Sequence, residues 1–278
     1  MIHQTITLEV PYEKYNCKKS DKRATLTTYV LRDFDDHGIV RMRPAVVICP
    51  GGGYEHVSER EAEAVALQYN ARGFHAFIVD YSVAPDIYPA ALMEVAKAFA
   101  IIRENAAEWH VDTDKIVASG FSAGGHLAAS LGVFWNEKWI AEDLDTTNEE
   151  IKPNGLLLCY PVITSGEFAH KGSFDNLLRE GYSDLREKMS LEKQVNKDTP
   201  KTFLWHTMTD ETVPVENSLM FLNACHKAGV SVEAHLFPQG RHGLSLCNEE
   251  TSTSPDNSDI QEECRIWIEL AGVWLKNL

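Results

Sequence analysis

The chain has 278 residues, is 44% hydrophobic, and carries 41 acidic against 26 basic side chains, a formal net charge of -15. That length buries one large core or two small ones, and so acidic a chain argues against nucleic acid and anionic membranes as partners, both being polyanionic. The opening "MIHQTITLEVPYEKY" lacks the basic region and apolar run of a secretory signal, no apolar stretch approaches bilayer length, and the six cysteines contain no CxxC pair, so a reduced cytoplasmic protein is expected.

Two partly alternating strands open the chain, "TITLEV" (Thr5 to Val10) and "TLTTYVL" (Thr25 to Leu31), the pattern of a half-exposed antiparallel edge. The six strands that follow all read as continuous apolar runs, the pattern of strands buried on both faces, and the first two of them are "AVVICP" from Ala45 and "FHAFIVDY" from Phe74. Between them Ser58 and Glu61 have capping-box spacing ahead of "AEAVALQYNARG", which predicts a helix closed by Gly73. "YPAALMEVAKAFAIIRENAAEW" predicts the second helix, "KIVASGF" from Lys115 the fifth strand, "AGGHLAASLGVF" the third helix and "GLLLCYPVI" from Gly155 the sixth strand. The connection from Thr164 to Pro200 is long enough to hold structure of its own. "SFDNLL" and "SDLREKMSLEKQV" read as short helices in a lid over one end of the sheet. "TFLWHT" from Thr202 is the seventh strand. Pro214 suits the first position of a helix that stops at Gly229, and "VEAHLFP" from Val232 is the eighth strand. "NEETSTSPDNSD" (Asn248 to Asp259) reads as a surface loop. Ser258 and Gln261 repeat the capping-box spacing ahead of "ECRIWIELAGVWL". This alternation implies right-handed crossovers and one α/β domain over residues 1–278, with a mainly parallel eight-stranded sheet, helices on both faces and a lid at about 164–200.

Gly120-Phe121-Ser122-Ala123-Gly124 matches G-x-S-x-G between a strand and a helix. In that context the serine occupies a strained, positive-φ turn that lifts its hydroxyl above the sheet, and glycines two before and two after relieve the crowding. A neutral hydroxyl needs a base, and the base an orienting group. Asp210 follows the seventh strand and His242 the eighth, so the order Ser122, Asp210, His242 is that of a strand-end catalytic triad. Among rivals, His126 lies one helical turn beyond Ser122 and reads as a packing residue. His206 reads as a support of the Asp210 loop, and His235 lies within a strand. Asp80 and Asp184 do not follow the strand where the acid is expected. Gly51-Gly52-Gly53 resembles the HGGG-type loop, with Pro50 in place of histidine, and its N–H groups can approach a tetrahedral oxygen together with the N–H of Ala123. The run lacks the Lys-Ser/Thr of a P-loop and the spacing of a dinucleotide site.

On "PGGGY", "GFSAGGHLAA", "YPVIT", "TPKTFLWHTMTDETVPVENS" and "HLFPQGRHGLSL" the chain resembles the α/β-hydrolase superfamily along nearly its whole length. More narrowly it resembles the esterases that include bacterial acetyl esterases and acetylxylan-esterase-like proteins. The resemblance implies a metal-free serine hydrolase without a cofactor: Ser122 as nucleophile, Asp210 as acid, His242 as base, and Gly52, Gly53 and Ala123 as oxyanion donors. It implies a small-molecule ester as substrate, short in its acyl part, such as acetate on a sugar. A small-amide hydrolase (formamidase or peptidase) would use the same triad. A non-catalytic binding module would be expected to lack one of its members. Oligomeric state is left open.

Overall fold

The computed structural model describes every residue except 16, 18–22, 35–37 and 179–182. One eight-stranded sheet has the order β1-β2-β4-β3-β5-β6-β7-β8. The strands are β1 (Thr5–Thr7), β2 (Thr25–Tyr29), β3 (Arg43–Cys49), β4 (His75–Asp80), β5 (Val111–Phe121), β6 (Gly155–Cys159), β7 (Lys201–Thr207) and β8 (Val232–Phe237). β2 runs antiparallel to both β1 and β4, and every other pairing is parallel. The alternating segments thus form the antiparallel edge, and the apolar runs of β3 to β7 form the parallel interior; β8 corrects the expectation of burial on both faces, since it is the sheet's other edge, is paired only with β7, and has no fully buried residue. β1 ends earlier than its pattern suggests, and the chain enters a 3₁₀ turn over Tyr12–Tyr15 just past Pro11.

Among the described residues the helices are α1 (Glu63–Ala71), α2 (Ala90–Glu104), α3 (Ala106–Trp109), α4 (Ala123–Phe134), α5 (Lys138–Asp143), α6 (Asn148–Ile151), α7 (Lys171–Leu178), α8 (Ser183–Lys188) and α9 (Glu216–Ala228), which lie between strands, and α10 (Trp267–Lys276), which follows β8. The sheet is covered on both faces. Ala45, Val47 and Cys49 of β3 pack in one core with residues of α2, α4 and α9, while Val46 and Ile48 pack in a second with α1 and α10. Successive side chains of a strand point to opposite faces, so a fully apolar strand fills two cores at once. Gly73 and Gly229 both take positive φ just past their helices, as the sequence required.

Two predicted helix starts are corrected. Ser58 makes no side-chain cap; a 3₁₀ turn (Glu59–Glu61) intervenes and α1 begins at Glu63. Glu61 is drawn away because its carboxylate is buried among other donors. Ser258 and Gln261 likewise form no capping box before α10, which starts at Trp267. Neighbouring Asp259 is buried and accepts bonds from Arg241, Thr253 and Ser254, which keeps this stretch in the preceding loop. That loop is accordingly more than surface, with Thr251 buried as well. A capping box does form at Thr147 and Glu150, ahead of α6, where the sequence reading placed no helix.

Candidate active site

Ser122 sits between β5 and α4 at φ 54°, ψ -120°. The glycines around it are dictated by contact: a Cβ on Gly120 would lie 2.1 Å from the Gly124 carbonyl oxygen, and one on Gly124 would lie 2.1 Å from the Cys49 carbonyl oxygen. The turn is also held from β6, since Ser122 N–H donates to the Cys159 carbonyl at 3.0 Å and Val162 N–H donates to the Ser122 carbonyl at 3.0 Å. The serine is buried, at 8% exposure.

The three predicted triad positions come together. His242 Nδ1 lies 2.6 Å from Asp210 Oδ2 and His242 Nε2 lies 2.7 Å from Ser122 Oγ. A carboxylate only accepts, so Nδ1 carries the proton and the bare Nε2 accepts from the serine hydroxyl. Asp210 is bonded on its other side too: Oδ1 accepts the N–H groups of Thr212 and Val213 at 3.0 and 2.9 Å. Burial pushes its carboxyl upward, but the hydrogen bonds from His206 and His242, joined by the positive charge of His242 whenever that ring is protonated, outweigh it and hold the group well below the ordinary carboxylate range. Asp210, rather than Asp80 or Asp184, is the acid bonded to His242 Nδ1.

The other histidines take supporting places. His206 is fully buried; its Nε2–H faces Asp210 Oδ2 at 3.2 Å and the Val213 carbonyl at 3.0 Å, and its Nδ1 accepts from Ser218 Oγ at 2.7 Å. His126 donates from Nε2 to the Met189 carbonyl and accepts at Nδ1 from Tyr54 Oη, both at 2.9 Å. Burial lowers its pKa to about 4, so the ring is a neutral tie between α4 and the β6–β7 insertion. The pKa of His170, on that insertion, is lowered by burial first and then by the positive charge His242 carries when protonated, against the opposing pull of Asp210. Nothing in the sequence marks this histidine beyond its place in the insertion.

The glycine loop follows β3. Gly52 takes φ +126° and Gly53 φ +65°, and a Cβ on Gly52 would lie 2.1 Å from the His56 carbonyl oxygen. Gly51 N–H is engaged by Glu61 Oε2 at 2.7 Å. Among the described residues, the N–H groups of Gly52 and Gly53 donate no backbone hydrogen bond. α7 rests on this loop: Asn176 Nδ2 donates to the Gly53 carbonyl at 2.9 Å, and Phe174 meets the His126 ring edge-on. A cleft of about 410 Å³ opens beside His242, lined by Thr209, Glu211, Gln239, Arg241 and Gln261. Among the described residues, no group of three or more His, Cys, Asp or Glu side chains is placed to hold a metal ion, and no helix is long and apolar enough to cross a membrane.

Sequence reasoning missed Tyr160, at the end of β6. Its hydroxyl donates to Glu61 Oε1 at 2.7 Å, and its ring stands edge-on to His242 at 5.2 Å. Burial first, and then Glu61, keep this phenol protonated far above its ordinary range.

The chain is similar in sequence and in fold to known proteins. The BD-FAE family model matches residues 37–224. The chain is 36% identical over 218 residues to endo-1,4-beta-xylanase B of Butyrivibrio fibrisolvens, covering 75% of this chain and 33% of that protein. It is 31% identical over 209 residues to an acetylxylan esterase of Xylanibacter ruminicola, covering 73% of this chain and 41% of that protein. It therefore spans less than half the length of either relative. Solved structures match along almost the whole chain. The acetyl ester-xyloside bifunctional hydrolase of Caldicellulosiruptor lactoaceticus superposes with a TM-score of 0.83 at 33% identity, covering 99% of this chain and 96% of that one. A carboxylesterase of Lactobacillus plantarum superposes with a TM-score of 0.85 at 27% identity, covering 100% and 98%. A strand–serine–helix turn at the carboxyl edge of such a sheet, together with a family match over most of the chain, leads to one conclusion: the chain belongs to the BD-FAE family and is an esterase-like α/β hydrolase.

Proposed function

We propose that the protein is a serine carboxylesterase that removes short acyl groups, acetate above all, from hydroxyl-rich alcohols such as xylose-type sugars. The observation that carries this is the continuous hydrogen-bonded chain Ser122–His242–Asp210 on a positive-φ turn. Ser122 Oγ attacks the acyl carbonyl as its proton passes to His242 Nε2. Asp210 holds the Nδ1 proton and stabilises the imidazolium that forms. The N–H groups of Gly52, Gly53 and Ala123 receive the developing oxyanion. The alcohol leaves with the proton from Nε2, and water releases the acyl group through the same histidine.

The acetyl-sugar reading is supported by the relatives named above and by two features of the chain. The cleft beside His242, which protonates the leaving oxygen, is lined by hydrogen-bonding side chains suited to a polyhydroxy alcohol. Over the glycine loop, the insertion buries Phe174, Leu177 and Leu178, which supports its role as a lid above a small acyl site. The six unpaired, buried cysteines support a reducing compartment.

A p-nitrophenyl ester series from acetyl to octanoyl, run beside acetylated xylosides and a formyl amide, tests the proposal. Acetyl esters and acetylated xylosides are expected to give the highest kcat/KM. A long acyl pocket would instead raise it by roughly fourfold per methylene, and such a rise, or faster cleavage of the amide, would overturn the reading.

A further inference from the structure

Glu61 was read from the sequence as part of a helix cap, and the structure assigns it elsewhere. Its carboxylate is buried between the glycine loop and the loop that carries His242, at 4% exposure. Oε2 accepts Gly51 N–H at 2.7 Å. Oε1 accepts the Tyr160 hydroxyl at 2.7 Å, and that hydroxyl in turn accepts Ser245 N–H at 2.9 Å. One side chain therefore links the residue before the two oxyanion glycines to a residue three places beyond the catalytic histidine. Both ends need fixing. Gly52 and Gly53 have positive φ, as do Gly243, Ser245 and Cys247. Backbone in these regions persists only where its surroundings hold it. Tyr160 itself has φ 38°, which turns its ring across the site and edge-on to His242.

We propose that Glu61, acting through Tyr160, is a positioning residue that sets the oxyanion donors and the general base in register with each other; this rests on the esterase reading above. The bond to Gly51 does more than stabilise a turn: it turns that N–H away from the substrate and fixes the direction of the next two. A glutamine cannot replace this function. Its amide oxygen can accept Gly51 N–H, but its NH2 then points at the Tyr160 hydroxyl, which loses the acceptor for its own proton and must turn away from the bond it makes to Glu61.

The test uses Glu61→Gln, Tyr160→Phe and the double variant with p-nitrophenyl acetate. Active sites are counted by fluorophosphonate titration so that rates are per folded site. Glu61→Gln is expected to lower kcat roughly 10²-fold, the cost of misplacing reacting groups by about an ångström, with KM within about threefold. Tyr160→Phe keeps the ring and the Gly51 bond, and should lose less, roughly tenfold. The double variant should be no worse than Glu61→Gln alone, because both act in one chain of bonds. Affinity for a trifluoromethyl ketone, which adds to Ser122 and places an oxyanion in the hole, should fall in step with kcat/KM. A merely structural residue would lower the active fraction and leave the per-site rate unchanged. Per-site kcat within twofold of wild type in both single variants, or additive losses, overturns the proposal. If Glu61→Gln does not fold, Tyr160→Phe still decides. Wild type that neither cleaves the ester nor takes the fluorophosphonate at Ser122 overturns the esterase reading and this proposal with it. An active wild type with indifferent variants overturns this proposal alone.

Discussion

Ser122 is held by backbone and by glycines in contact, whereas His242 stands on a loop tied down by side chains from distant parts of the chain. At the serine, the neighbours are Gly120, Gly124 and the ends of β3 and β6, and the retaining bonds run between main-chain atoms. At the histidine, Arg60 donates to the carbonyls of Gly243 and Thr251, Ser245 Oγ donates to the Arg60 carbonyl at 2.8 Å, and Trp267 Nε1 donates to the Ser245 carbonyl at 2.9 Å. Thr207 and Thr209 hydroxyls hold the Gly240 carbonyl at 2.8 and 3.1 Å. The first half is rigid because close-packed backbone has nowhere to go. The second is as rigid as its hydrogen bonds, so single side chains can loosen it.

The largest effects separate the two halves at their reacting atoms. Ser122→Ala should fold and lose on the order of a millionfold in kcat. Asp210→Asn should lose roughly 10⁴-fold by favouring the wrong tautomer of His242. Ser122→Gly should be equally inactive yet more stable than Ser122→Ala, by roughly 1 kcal/mol, because glycine accepts a positive φ without strain. Steady-state rates and thermal melts of the three variants check this. A glycine variant no more stable than the alanine one would mean that the turn stores no strain.

The same division explains what was legible beforehand. The strand order, the parallel interior and the serine turn follow from local signals, namely apolar runs, glycines at fixed offsets and a helix-forming stretch after the serine. Asp210 and His242 were found because loops after successive parallel strands meet at one edge of the sheet. Glu61 and Tyr160 were not, because their partners lie far along the chain: 10 residues separate Gly51 from Glu61, 99 separate Glu61 from Tyr160 and 85 separate Tyr160 from Ser245. Glu61 even carried a misleading local signal, its spacing from Ser58. A capping box is worth about 1 kcal/mol, less than leaving two buried donors without an acceptor.

A smaller effect probes how the serine side is tied to the insertion. Burial sets His126 at about 4 in the folded protein against an ordinary value near 6.5. As pH falls, the unfolded chain takes the proton first, so the associated stability is complete above about 6.5 and is lost progressively down to about 4. The full difference is worth roughly 3 kcal/mol. His75, also lowered to about 4, chiefly by burial, titrates over the same range. Asp210 does not, since its depressed carboxyl places its loss below the ordinary carboxylate range. His170, also lowered chiefly by burial, adds to the same fall, so denaturant midpoints measured from pH 7 to pH 4 should fall steadily for wild type and less steeply for His126→Gln. An unchanged slope would show that His126 gains its proton in the folded state without loosening the insertion.

The smallest effect concerns the histidine side alone. Arg60→Met keeps the aliphatic bulk of the side chain and removes its bonds to Gly243 and Thr251. Arg60 is half-buried, and the carbonyls it leaves can turn to water, so the loss of stability should be only about 1 kcal/mol. The catalytic effect should exceed what that figure suggests for a remote residue. Gly243 is the next residue after His242, and any drift in its carbonyl moves the imidazole relative to a serine that cannot follow. A three- to fivefold fall in kcat (roughly 1 kcal/mol of transition-state stabilisation) with KM unchanged is therefore expected, whereas a substitution of similar cost beside the serine turn should unfold protein without changing the rate of what remains folded. If Arg60→Met lost stability but kept its full per-site kcat, the ties through Tyr160 and Trp267 would suffice to hold the loop, and the contrast between the two halves would narrow to those bonds.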